Sequence, residues 1–84
     1  MKIKILGPGC VNCRTLERRT HEALEALQSA ATVVEVYDLQ TIAGYGIMRT
    51  PGLVIDEEVV SSGSVPSVEE LKSILLLHGA SVRA

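Results

Sequence analysis

The chain carries two cysteines, three residues apart, in Gly7-Pro8-Gly9-Cys10-Val11-Asn12-Cys13. An apolar run of Ile3, Ile5 and Leu6 ends just before them, and a helical pattern begins just after. The pair therefore sits where a strand passes into a helix. The first N–H groups of a helix have no partner inside it and favour negative charge nearby. A cysteine at that point has its thiolate stabilised, so its pKa falls and more of it is nucleophile at neutral pH. The cysteine at i+3 comes round to the same face of the first turn. Such a pair can close into a short disulfide and open again. The expected chemistry is thiol–disulfide exchange, with Cys10 attacking and Cys13 resolving.

The rest of the pattern places that junction in a layered fold. Residues 2–6 alternate Lys and Ile before Leu6, which predicts a first strand with Ile3 and Ile5 toward a core. From Val11 to about Ser29 the spacing is helical. Cys13, Leu16, Thr20, Ala23, Leu24 and Leu27 fall on one stripe, with Glu17, Arg18, Glu22 and Glu25 off it. Residues 32–37 are rich in β-branched side chains and predict a second strand. Asp38 to Tyr45 reads as a short helix, capped by Asp38 and ended by Gly46. Pro51 excludes helical geometry at Thr50 and opens an extended segment. Leu53–Ile55 and Val59-Val60 form a hairpin about Asp56-Glu57-Glu58, although the turn lacks the expected glycine. Ser67 and Glu70 make a capping-box signature for a last helix with Val68, Leu71, Ile74 and Leu75 buried. Gly79 is its stop, and residues 79–84 read as a frayed tail.

The order is thus β-α-β-α-β-β-α in one domain over residues 1–84. The first two strands are joined through a helix and should be parallel, with a right-handed crossover. Strands one and three are mostly apolar, so helices must cover both faces. With 46% hydrophobic residues but only two aromatics, both tyrosine, the core must be Ile, Val, Leu and Ala. A net charge of −2 with mixed signs gives no electrostatic case for nucleic acid or an anionic membrane. No apolar run approaches the roughly 20 residues that span a bilayer. The expected compartment is the cytoplasm, where a C-x-x-C pair is more often redox or metal chemistry than a structural staple.

This order, with C-x-x-C at the first strand-to-helix turn and Thr50-Pro51 before the third strand, resembles the thioredoxin/glutaredoxin fold. It is most similar to the small thioredoxin-like redox-active disulfide proteins. The segments that carry the likeness are Ile5–Cys13, Tyr45–Pro51, Val59–Gly63 and Val65-Pro66-Ser67. The resemblance implies a four-stranded mixed sheet in the order 2-1-3-4, an exposed nucleophile Cys10 and a more buried Cys13. It also implies a cis Pro51 packed beside the cysteines, with the Thr50 backbone free to bond an extended substrate. Gly9, Val11, Asn12, Met48, Thr50 and Pro51 are then the candidate substrate-binding residues. Partners would be disulfide-containing proteins and a disulfide reductase or other dithiol donor, with no cofactor and no resident metal. The chain departs from thioredoxins in placing Gly9 before Cys10 and Val11-Asn12 between the thiols. It departs from glutaredoxins at Ser61-Ser62-Gly63, where a glutathione-binding Gly-Gly would stand. The buried acid that thioredoxins use has no clear counterpart, since Glu35 could face away.

Other readings stand beside this one. The cysteines could be small buried hydrophobes. They could also hold Cu(I) or Zn in a soft-metal carrier, whose order would be β-α-β-β-α-β, so residues 38–46 discriminate. A third possibility is a thioredoxin-fold binding module with idle thiols. Lys4 and Arg14 would help the thiolate if they point inward. His21 reads as a solvated helix residue, Tyr45 as packing, and His78 as matched to the negative end of the last helix. Met48 either fills a gap or lines the groove. Leu76 and Leu77 point away from the buried stripe, a patch through which a monomer could form a weak homodimer.

Overall fold

The computed structural model describes residues 1–79. The tail at 80–84 lies outside the described residues. The elements run β1 (Lys2–Leu6), α1 (Val11–Ala26), β2 (Thr32–Val36), α2 (Leu39–Gly44), β3 (Gly52–Ile55), β4 (Glu58–Ser62) and α3 (Val68–Leu77). The sheet order is β2-β1-β3-β4, with β1 parallel to β2 and the other pairs antiparallel. This is the mixed, thioredoxin-like sheet that the resemblance implied. Residues 38–46 hold α2, so β2 does not run directly into β3 and the order of the metal-carrier fold is not this one.

Period-two alternation in β1 divides the core into two layers. Ile3 and Ile5, with Leu53 and Ile55 of β3, face Leu16, Ala23, Leu24 and Leu27 from the α1 side and Leu71 and Leu75 of α3. On the opposite face Leu6 and Val54 meet Ile42 of α2, with Val36, Tyr45, Ile47 and Val59 packed around them. Every residue of β3 is buried, as a central strand covered on both sides requires. Thr20 is the polar member of the α1 stripe; its hydroxyl donates to the Leu16 carbonyl at 2.7 Å, which removes the cost of burial.

The helix ends follow local chemistry. Asp38 accepts from the Thr41 N–H at 3.0 Å and from the Thr41 hydroxyl at 2.6 Å, starting α2. Ser67 and Glu70 close the expected capping box. Helix α1 stops at Ala26, earlier than its spacing predicts. Gln28 takes φ 53, its N–H donates to Glu25 and that of Ser29 to Leu24, a Schellman ending built without glycine. Strand β2 likewise ends at Val36, and Tyr37 is exposed.

The glycine missing from the hairpin is replaced by side-chain contacts. Asp56 and Glu57 both adopt positive φ, 47° and 69°, the geometry of a two-residue hairpin turn, and Glu58 already belongs to β4. Asp56 Oδ1 accepts from the Lys2 N–H at 2.8 Å. Glu57 pairs with Lys4 Nζ at 2.5 Å, and the Tyr45 hydroxyl donates to it at 3.2 Å. His78 caps α3, its Nδ1 3.9 Å from Glu58, while Leu76 and Leu77 project into solvent.

Two outcomes test this packing. Leu53→Ala should cost about 2–5 kcal/mol in urea unfolding, whereas Leu76→Ala should stay within about 0.5 kcal/mol of the parent. The Thr41 hydroxyl and N–H hold the Asp38 carboxyl below its usual range. Its stabilising contribution is therefore complete above the ordinary aspartate pKa and is lost as the pH falls through the lowered folded-state value. Asp38→Ala should lower the melting temperature at neutral pH, and the gap to the parent should close in acid.

Candidate active site

Cys10 occupies the N-cap of α1 with extended backbone (φ −67°, ψ 168°). Its carbonyl accepts the first helical bond, from Arg14 N–H at 3.0 Å. Its sulfur takes the place of the usual capping oxygen: Sγ accepts the Cys13 N–H at 3.1 Å. No acidic residue lies in the first turn to oppose negative charge there. Cys10 and Cys13 are joined as a disulfide with their Cα atoms 5.0 Å apart. Cys10 is exposed and Cys13 only 4% exposed, so an incoming partner meets the first sulfur and not the second.

The second sulfur is seated against backbone. A Cβ built on Gly7 would fall onto Cys13 Sγ, lie 3.1 Å from Cys13 Cβ and come within 3.9 Å of Thr50 Cβ. Gly7 thus lets the end of β1, Cys13 and Thr50 converge. The Gly7 N–H is fixed by the Val36 carbonyl at 2.9 Å, which ties this contact to the sheet. Thr50-Pro51 is a cis peptide, and Pro51 is fully buried. Gly9 has φ 88°, left-handed backbone that glycine adopts without penalty, next to the cysteine.

The family model described as Thioredoxin domain matches residues 1–76. The chain belongs to the thioredoxin family. It is 40% identical over 75 residues to a thioredoxin of Methanothermobacter thermautotrophicus, covering 89% of this chain and 97% of that protein. It is 38% identical over 73 residues to a thioredoxin of Methanocaldococcus jannaschii, covering 87% and 84%. Membership in the thioredoxin family and the Cys10–Cys13 disulfide support thiol–disulfide exchange as the chemistry of this site.

The other expected site residues divide. Gly9 adjoins Cys10, and Thr50 reaches the Gly7 seat of Cys13, with buried Pro51 next in the chain. Val11, Asn12 and Met48 are exposed, Val11 by 80% and Met48 by 96%, so Met48 fills no gap. Lys4 does not serve the thiols. Its even position in β1 points it to the α2 side, where Glu57 and the Tyr45 hydroxyl take its ammonium.

Sequence reasoning missed the other side of the site. An open cleft of about 710 Å³ is lined by Cys13, Arg14, Glu17, Glu35 and Tyr37 with Ile5 and Gly7–Gly9. Glu35 does not face away, because it is paired in parallel register with Ile5, which points at α1. Burial and the adjacent Glu35 push the Glu17 carboxyl above the usual range. The Tyr37 hydroxyl, donating at 2.6 Å, and the Glu17 carboxyl hold Glu35 below it. The signals were the i,i+4 spacing of Cys13 and Glu17 and the parity of β1 against β2.

Gly7→Ala tests the seat of Cys13. A methyl group there should cost about 1–3 kcal/mol as overpacking. The cost should be larger in the disulfide form, where the sulfur cannot rotate away. Thiol trapping in a dithiothreitol buffer should therefore show the Gly7→Ala pair shifted toward the dithiol.

Proposed function

We propose that this thioredoxin-family chain is a protein disulfide oxidoreductase that works as a recycled dithiol carrier. In the reduced protein the Cys10 thiolate attacks one sulfur of a substrate disulfide. A Cys10–substrate disulfide forms, and the substrate's other sulfur leaves as a thiolate. Cys13, after losing its proton, attacks the Cys10 sulfur. The Cys10–Cys13 bond forms, the second substrate sulfur leaves, and two electrons have passed to the substrate, whose thiolates take up two protons. A disulfide reductase or another dithiol then returns two electrons to the pair. Exposed Val11, Asn12 and Met48 and the backbone of Gly9 and Thr50 are the proposed docking surface. A cycle that ends in a stored disulfide requires a supply of reductant, and the reducing cytoplasm is the proposed compartment.

The observation that carries this reading is the asymmetry of the two sulfurs. The one that caps the helix is exposed, and the one seated on Gly7 is buried. A thiolate acceptor makes a charge-assisted bond, roughly twice as strong as a neutral one, so the Cys13 N–H favours the state in which Cys10 is the attacking or leaving group. Exchange rates follow thiolate fraction, nucleophilicity and access; the helix start raises the thiolate fraction of Cys10 at some cost in intrinsic nucleophilicity, and exposure gives it the access that Cys13 lacks.

Reduction of insulin in the presence of dithiothreitol tests it. The parent should accelerate the reaction, and Cys10→Ser should fall to the uncatalysed background. Cys13→Ser should form a mixed disulfide with substrate that persists on a non-reducing gel. No acceleration by the parent, or unimpaired turnover by Cys10→Ser, would overturn the assignment.

A further inference from the structure

Beside the sulfurs, but made of other donors, lies a second cluster. Glu17 and His21 stand four apart on α1 and share a face of the helix. Glu35 comes to that face from β2. One donor atom from each of the three lies within 4.8 Å of the others. We propose that Glu17, His21 and Glu35 form a binding site for a divalent transition metal, with Zn²⁺ the best match, independent of the cysteine thiols.

The donor set decides the class of ion. Two carboxylates and a neutral imidazole offer oxygen and nitrogen and carry two negative charges. That suits a borderline divalent ion and not Cu(I), which prefers sulfur. Zn²⁺ takes such ligands at about 2.0–2.2 Å and is often held by three protein groups with a fourth position left open. Small rotations about exposed side-chain bonds bring donors already this close onto one ion. A cation between the Glu17 and Glu35 carboxylates relieves the like-charge repulsion of donors held this close. The imidazole separates this cluster from a merely solvated acidic patch. Tyr37 supplies the outer support: its hydroxyl fixes Glu35 Oε2 at 2.6 Å and leaves the second oxygen for the ion. The cleft past Cys13 and Arg14 gives water access to the open position. Arg14 is the neighbouring cation, and as an exposed side chain it can swing away from a bound ion.

The experiment uses the oxidised protein, because a Cys10–Cys13 disulfide offers no thiolate. Its intact disulfide is verified by mass spectrometry, and ZnCl₂ is titrated by calorimetry while the His21 imidazole is followed by NMR. The expected result is saturable binding of one Zn²⁺ per chain that moves the His21 resonances. Glu17→Gln, His21→Ala and Glu35→Gln should each weaken binding about tenfold or more, and Tyr37→Phe about tenfold through the lost support. His78→Ala, which alters the other histidine, should bind as the parent does. All variants are checked for an unchanged thermal transition. Absence of saturable binding, binding unaltered in the Glu17→Gln/His21→Ala/Glu35→Gln variant, or loss of binding in His78→Ala would each overturn the proposal.

Discussion

The hydrogen bond from the Cys13 N–H to the Cys10 sulfur joins fold and chemistry in one contact. A helix must start somewhere, and its first N–H groups need acceptors. Here the acceptor is the sulfur proposed to react. In the disulfide the sulfur is a weak acceptor, whereas in the thiolate it is a charged one, so the same geometry is worth more in the reduced state. The start of α1 thereby biases the redox equilibrium as well as the reactivity of Cys10. Nothing elaborate is required of the rest of the protein beyond holding the helix start in place and keeping the second sulfur within reach.

The two-layered core does that holding. Strand β1 lies between β2 and β3, and its alternate side chains anchor it to helices on both faces. Its end is therefore among the most constrained points of the chain, and Gly7, next after Leu6, receives Cys13 directly. The same glycine brings Thr50 near, so the strand, the Cys13 sulfur and Thr50 meet at one place. An 84-residue chain without a large aromatic core gains its rigidity here from backbone contact and branched aliphatic packing.

Much of this was legible in the sequence, and the reasons are local. Caps at Asp38 and Ser67, the alternation in β1 and the Cys10–Cys13 spacing each depend on residues close in the chain, and each was placed correctly. The sheet order and the cis Pro51 came from family resemblance, since neither follows from periodicity. Most of what escaped reading depends on pairs far apart. Whether Glu35 faces α1 is decided by its register against Ile5, and no residue near Glu35 encodes that. Lys4 was free on paper to reach the thiols; the hairpin brings Glu57 to it instead. Gln28 ending α1 and Asp56-Glu57 turning without glycine show chains using positive φ where hydrogen bonds outweigh the modest steric cost.

The most direct test of this account is the pH dependence of Cys10 alkylation in the reduced protein, with Cys13→Ser used to assign the signal. An ordinary thiol ionises near pH 8.5. If the helix start stabilises the thiolate as its geometry requires, the rate of Cys10 modification by iodoacetamide should rise through a midpoint well below that value. A midpoint at or above about 8.5 would show that the N-cap contact does not activate Cys10, and would contradict the mechanism built on it.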